Sequence, residues 1–241
     1  MSEFENKYTS NNFSIVVPVL NEEKILNKSA NQIYEMSKRT GLDFEIIFSE
    51  NGSNDSTVKI LDKICDSKQD CKYITFNKPN YGMALKNGLL DAKNELVIIF
   101  DIDYFSEEFL NSSLCLDEKY SAIIASKRLD ASNDDRSKTR VLISTIYAYM
   151  LKIIFGTNLS DTHGMKSIKR NAFVDELSKI QSDQWMFDTE LLLRIEKKGE
   201  QIKEVPVNVN EIRPSVYNIG FDIPKTLFLI LKLRFRLFFE K

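Results

Sequence analysis

Leu96-Val97-Ile98-Ile99-Phe100-Asp101-Ile102-Asp103 is the stretch on which the reading of the chain turns. Apolar residues run unbroken from Leu96 to Phe100 and meet two carboxylates one residue apart. A short apolar run with polar residues on either side reads as a buried strand, of the kind parallel sheets use. Side chains alternate along an extended chain, so Asp101 and Asp103 are expected to point the same way. Ligands of open α/β sheets sit beyond the carboxyl ends of the strands. Two ionised acids at that place suit a hard divalent cation, Mg2+ or Mn2+, which takes oxygen ligands and phosphates. Aspartate also favours turns, so the pair can simply close a strand. The flanking chain decides between the two.

Upstream, strand and helix patterns alternate. Phe13 to Val19 reads as a strand with Pro18 near its end, because proline cannot donate to a ladder. Asn21 reads as an N-cap, with Glu22 and Glu23 in the first turn of a helix running to about Arg39. Phe44 to Phe48 is a second strand, followed by a polar turn from Ser49 to Ser56. Asp55 or Ser56 caps a helix to about Asp66, with Val58, Leu61 and Cys65 facing inward. Lys72 to Phe76 is a third strand, and Tyr81 to Ala92 a helix containing Gly82 and Gly88. Interior glycines cost a helix about 1 kcal/mol each, which points to close backbone approach at these two positions. Three rounds of alternation before Asp101 predict βαβ units and a central, mostly parallel sheet flanked by helices.

Downstream the pattern loosens. Glu107 to Leu116 reads as a helix, Ser121 to Ser126 as a strand, and Arg128 to Lys138 as a charged loop able to cover a site. Thr139 to Phe155 is an apolar helix, and Phe187-Asp188-Thr189-Glu190 opens another that ends near Gly199. Gln201 to Val209 is a strand, with Pro206 marking a sheet edge. The expected division is a leader without fixed structure at 1–12, one domain at 13–221 and an amphipathic helix at 222–241. As a helix, the last segment puts Leu227, Phe228, Leu231, Phe235, Phe238 and Phe239 on one broad face and Lys225, Lys232 and Arg236 in a basic stripe. Such a helix lies in a membrane interface without spanning it.

Composition removes other classes. The 241 residues carry a formal net charge of -2, which argues against a general nucleic-acid binder. Cys65, Cys71 and Cys115 are scattered, without zinc or disulfide spacing, and read as reduced thiols of a cytoplasmic protein. Met1 to Asn12 holds no apolar signal-peptide core, and no run of about 18 apolar residues predicts a membrane span.

Several blocks then fall in a telling order. Val16-Val17-Pro18-Val19-Leu20-Asn21-Glu22 comes first, followed by Glu50-Asn51-Gly52-Ser53-Asn54-Asp55-Ser56-Thr57. Asn80-Tyr81-Gly82-Met83-Ala84, with Gly88 and Ala92, precedes Asp101-Ile102-Asp103. Asp161-Thr162-His163-Gly164-Met165-Lys166, Phe187-Asp188-Thr189-Glu190-Leu191-Leu192 and Glu204-Val205-Pro206-Val207 complete the series. Together they resemble the family-2 inverting glycosyltransferases of the GT-A fold, which is Rossmann-like. Within that family they are most similar to the dolichyl-phosphate and polyprenyl-phosphate mannose and glucose synthases. Three departures stand out: Glu50-Asn51 replaces an aspartate pair, Phe105 replaces a glutamine, and the Asp161 block is one residue short.

The resemblance implies a metal-dependent transfer of a hexose from GDP-mannose or UDP-glucose to a lipid phosphate at the cytosolic face of a membrane. It implies that Pro18, Leu20, Glu22, Glu50, Asn51, Asp55, Gly82 and Asp101 bind the nucleotide sugar. Asp101 and Asp103 then hold Mg2+ or Mn2+, whose charge offsets that of the leaving diphosphate. Arg128 and Arg140, with Lys166 and Arg213, become candidates to clamp the acceptor phosphate, and Asp161 to orient the acceptor or act as a base. Asp188 and Glu190 read as a mixed pair of base and cap, and His163 as a structural histidine. Two alternatives stay open. One is a saccharide or other hydroxyl acceptor, which needs a carboxylate base. The other is a silent nucleotide-sugar binding module on a membrane.

Overall fold

The computed structural model describes residues 9–129, 131–134, 137–209 and 219–240. The element order is β1 (Asn12–Val19), α1 (Leu26–Arg39), β2 (Asp43–Glu50), α2 (Thr57–Ser67), β3 (Cys71–Thr75), α3 (Tyr81–Asp91) and β4 (Leu96–Ile99). There follow α4 (Glu107–Leu114), β5 (Ala122–Ser126), β6 (Asn133–Asp134), α5 (Lys138–Phe155), β7 (Lys166–Lys169) and α6 (Arg170–Phe173). The last elements are α7 (Met186–Lys197), β8 (Ile202–Pro206), β9 (Asn208–Val209) and α8 (Ile219–Phe239).

Seven strands form one sheet in the order β3-β2-β1-β4-β7-β5-β8. All its pairings are parallel except the two that β7 makes, with β4 and with β5. β8 is an edge strand, as Pro206 foretold. β6 and β9 form a separate two-stranded ribbon, so the expected strand at 201–209 breaks at Val207 and the charged loop is pinned at Asn133 and Asp134.

The near-continuous apolar strands follow from burial on both faces. Ile15, Val17, Ile46 and Phe48 join one core with Leu26, Ile33 and Leu61 of α1 and α2. Val16, Ile47, Val97 and Ile99 join the opposite core with Leu85 and Leu89 of α3 and Leu191 of α7. A third cluster, Leu151, Met186, Leu193, Ile230, Leu233 and Leu237, packs α5, α7 and α8 together. The terminal helix begins at Ile219, three residues before the expected 222, and packs here through Ile230, Leu233 and Leu237.

Several expectations are corrected. Residues 9–12 are ordered: Thr9 N donates to Leu114 O and Asn12 opens β1, while 1–8 lie outside the described residues. Asn21 is not an N-cap. It is left-handed, with φ 55°, and its Oδ1 accepts from Asn54 N. Glu22 N and Glu23 N donate to Thr57 Oγ1 and Asp55 Oδ2, which hold this stretch in a turn against the start of α2. α1 therefore starts at Leu26. On α2 the inward face is Thr57, Leu61 and Ile64, with Val58 and Cys65 only partly covered. The two α3 glycines are explained by close approach. A Cβ on Gly88 would lie 2.4 Å from Val16 Cγ1, and one on Gly82 would lie 3.0 Å from Phe187 Cβ.

Candidate active site

The parallel strands β1, β2 and β4 all end on one edge of the sheet, and the chain there lines a cleft of about 180 Å³. Its walls include Pro18, Leu20 and Glu22 after β1, Asn51 after β2, Asn80 and Tyr81 at the start of α3, Asp101 and Asp103 after β4, and Gln184. β4 stops at Ile99, and Asp101 to Tyr104 close a tight turn: Asp101 N donates to Tyr104 O and Tyr104 N to Asp101 O. The expectation that Asp101 and Asp103 extend side by side along a strand is thus corrected. Aspartate's turn preference won, and the turn still delivers both carboxylates to the same cleft.

Asn51 is 3 % exposed, and its Oδ1 accepts from Asn80 N, tying the β2 end to the α3 start. Asn80 caps α3 through Met83 N. Glu50 behaves differently from expectation. β2 carries it inward, where Oε1 accepts from Ser53 N at 2.5 Å and Oε2 from Thr75 Oγ1. It shapes the turn beneath the cleft and is absent from the lining. Asp55 likewise spends its oxygens on Thr57 N and Glu23 N. Gly82 stands behind the wall, where it lets the chain around Gln184 come close.

Behind Asp101 lies a buried charge network. Burial pushes the Asp101 carboxyl up to about 6; Asp188 and Asp103 add to the rise, while Lys166 and Lys127 oppose it. Tyr81 Oη donates to Asp101 Oδ1 at 3.4 Å, and burial together with Asp188 and Asp101 holds that phenol well above its ordinary value. Lys166 and Asp188 form an ion pair at 2.9 Å with side chains 1 % and 2 % exposed. Lys166 Nζ also donates to Gly164 O at 2.7 Å. The expectation that Lys166 faces an acceptor phosphate is corrected: β7 starts inside the sheet and turns this ammonium into the interior.

The cation that does approach the site edge is Lys127, which the sequence did not single out. Its Nζ lies 3.2 Å from Asp161 Oδ2 and 2.9 Å from His163 O. Burial would raise the Asp161 carboxyl, but the charge of Lys127 and the hydrogen bond from His163 N outweigh it and hold the group below its ordinary value. Asp161 is therefore an anion paired to lysine, a poor proton acceptor and a good anchor for Lys127. Arg128 donates to Thr145 Oγ1 of α5 and lines a small pocket with Ser144, Asp161 and His163. Arg140 sits in the first turn of α5. Arg213 lies outside the described residues.

His163 is partly buried, and that burial lowers its pKa. Its ring packs against Tyr147 and Trp185, and Nε2 meets Trp185 O at 3.2 Å. This is the structural histidine expected. Asp188 and Glu190 divide: Asp188 faces Lys166, whereas Glu190 is bound by Arg194 on the far side of α7.

The fit to a divalent cation follows from these acids. Burial disfavours the Asp101 anion most, with Asp188 and Asp103 adding like charge, and a cation bound there would offset both. Among the described residues no group of three or more His, Cys, Asp or Glu gathers at ligand distance. Two carboxylates with phosphate and water oxygens is nevertheless how Mg2+ is commonly held at nucleotides, so the residues present fit such an ion.

Comparison with known proteins agrees with this geometry. The family model described as Glycosyl transferase family 2 matches residues 14–177. Dolichyl-phosphate beta-glucosyltransferase of Saccharomyces cerevisiae is 25% identical over 233 residues, covering 87% of this chain and 70% of the yeast protein. Glycosyltransferase AglD of Haloferax volcanii is 26% identical over 203 residues; the match covers 81% of this chain but only 32% of AglD. Glucosyl-3-phosphoglycerate synthase from Mycobacterium tuberculosis, solved with Mn2+, UDP and phosphoglyceric acid, superposes with a TM-score of 0.66 at 17% identity, covering 92% of this chain and 77% of that one. The fold is the expected GT-A arrangement.

Proposed function

The chain belongs to glycosyl transferase family 2, and from that premise we propose that it moves one hexose from a nucleotide sugar to a polyprenyl or dolichyl phosphate at a membrane surface. The observation that carries this reading is one edge of the sheet with two kinds of charge. A cleft floored by Asp101 and Asp103 lies beside a rim carrying Lys127, Asp161 and Arg128. The name of the yeast relative supports a dolichyl phosphate acceptor and glucose as the sugar; GDP-mannose is the alternative donor.

In this mechanism Pro18, Leu20, Glu22 and Asn51 hold the base and ribose, and Asp101 and Asp103 would hold a Mg2+ or Mn2+ ion. The bound ion supplies Lewis-acid stabilisation of charge on the leaving diphosphate. Tyr81 and Lys166 fix Asp101 and Asp188 from behind. The acceptor phosphate is already anionic near neutral pH, so cationic clamping and in-line placement matter more than a strong base. Arg128 and Arg140 supply the clamp, and Asp161 positions Lys127 beside them.

The membrane side is supported by apolar surface. α5 leaves Leu142, Tyr149 and Ile153 exposed, and α8 leaves Phe228, Phe235 and Phe239 exposed. Exposed apolar surface of this extent marks contact with lipid or protein. No described helix is long and apolar enough to cross a membrane. We place the protein peripherally on the cytosolic face.

The test is product analysis. Purified protein is incubated with UDP-glucose or GDP-mannose, polyprenyl phosphate in vesicles, and Mg2+ or Mn2+. A hexosyl phospholipid detected by mass spectrometry is expected, and Arg128→Ala and Arg140→Ala should slow acceptor use without weakening nucleotide binding. Transfer to a free saccharide with none to lipid phosphate would refute the acceptor.

A further inference from the structure

α8 does more than offer an apolar face. Its Arg236 turns inward, while Lys232 and Arg234 on the same helix stay exposed. Arg236 Nη2 donates to Ser182 Oγ at 3.1 Å and lies 3.3 Å from Glu190 Oε2. Glu190 Oε2 also accepts from Ser182 N at 2.9 Å, so one carboxylate and one guanidinium grip both ends of the same serine. Arg236 Nε is buried without a hydrogen-bond partner. A guanidinium held at that cost is placed by its contacts, not by preference for solvent.

Ser182 begins the short segment that closes the donor cleft. Asp183 Oδ1 accepts from Asn80 Nδ2 at 3.0 Å, and Gln184 Oε1 accepts from Tyr81 N at 3.4 Å. Gln184 itself lines the cleft with Asp101 and Asp103, at a left-handed φ of 51° that glutamine rarely adopts. The absence of a side chain on Gly82 makes room for this backbone; a Cβ there would lie 3.1 Å from Gln184 N.

We infer that Arg236 is a positioning residue for the nucleotide site, holding the 182–184 segment against the start of α3 so that Gln184 completes the cleft wall. This rests on the reading of that cleft as the donor site. It joins the helix carrying the exposed phenylalanines to the donor pocket through two polar contacts, and it takes Arg236 out of the basic stripe expected to face lipid.

The experiment measures binding of UDP and of GDP, each with Mn2+ and without vesicles, by calorimetry at a temperature well below every variant's melting point. Arg236→Ala should raise the Kd of the nucleotide that the wild type binds about tenfold, the scale of one lost charge-assisted hydrogen bond, and Arg236→Lys should restore part of it. Ser182→Ala, which cuts the same contact from the loop side, should weaken binding in the same direction. Glu240→Ala, just past the end of α8, removes the ion pair to Arg194 and should lower the melting temperature with no change in Kd. Unchanged affinity in both Arg236→Ala and Ser182→Ala, while Asp101→Asn loses binding, would overturn the inference and leave the donor site standing. An equal loss in Glu240→Ala would also overturn it, because general helix docking would then be the cause. Full nucleotide affinity in Asp101→Asn would overturn the donor-site reading itself, and the inference with it.

Discussion

Replacing Lys166 by methionine isolates the buried charge on which the site is built. Methionine keeps an unbranched stem of similar length, so the space stays filled while the ammonium goes. The side chains of the pair are 1 % and 2 % exposed, and Asp188 Oδ1 has no hydrogen-bond partner beyond that ion pair. The carboxylate would be stranded where water cannot reach it, and Gly164 O would lose its donor as well. Breaking a buried pair from one side costs about 3–5 kcal/mol, because a desolvated charge is left uncompensated. Lys166→Met should therefore lose that much in urea unfolding followed by circular dichroism, read as a lower midpoint at constant slope. The double variant Lys166→Met, Asp188→Leu removes both charges and should recover most of the loss. A single-variant cost below about 1 kcal/mol, or a double variant no more stable than the single, would refute the reasoning.

Four further outcomes are expected. Asp101→Asn and Asp103→Asn should each lower turnover by at least about 10²-fold while the fold survives. Because burial raises Asp101 to about 6, a cation must displace its proton below that value. Wild-type affinity for Mn2+ with nucleotide should fall about tenfold from pH 7 to pH 5, and Asp101→Asn should flatten this dependence; a flat wild-type profile would refute it. Gly88→Ala places a methyl 2.4 Å from Val16 Cγ1 and should destabilise by about 1–3 kcal/mol through overpacking, seen in thermal melting. Phe228→Ser with Phe235→Ser, which alters only exposed residues of α8, should weaken co-sedimentation with anionic vesicles without lowering the melting temperature; undiminished co-sedimentation would move the lipid contact elsewhere.

Much of the fold was legible because its first half repeats one signal. Apolar runs such as Phe13–Val19 and Leu96–Phe100 are buried on both faces, and short runs between helical patterns leave few alternatives. Pro206 at the edge and the two α3 glycines carried their meaning locally. What failed to show depends on partners far along the chain. The α1 start was misplaced because Asn21, Glu22 and Glu23 are satisfied by residues 53–57. Glu50 read as a ligand contact, but the strand runs two residues further than expected and takes its side chain inside. Lys127 gave no signal beside Arg128; only the pairing of β5 with β7 brings it to Asp161. The grip of Arg236 on Ser182 spans 54 residues and is invisible to any periodicity.

One strand sets how the two halves of the molecule can vary. β7 runs against its neighbours, so its beginning lies where β4 ends, with Ile99 opposite Lys166. The turn bearing Asp101 and the stretch bearing Asp161 and His163 are thereby held at a fixed spacing by main-chain bonds that no side chain dictates. Residues 160–164 and the exposed face of α5 can therefore change, with Leu159 and Met165 kept in the cores, without moving the turn that bears Asp101 and Asp103. A shared scaffold of this kind lets descendants change what receives the sugar while keeping how the sugar is delivered.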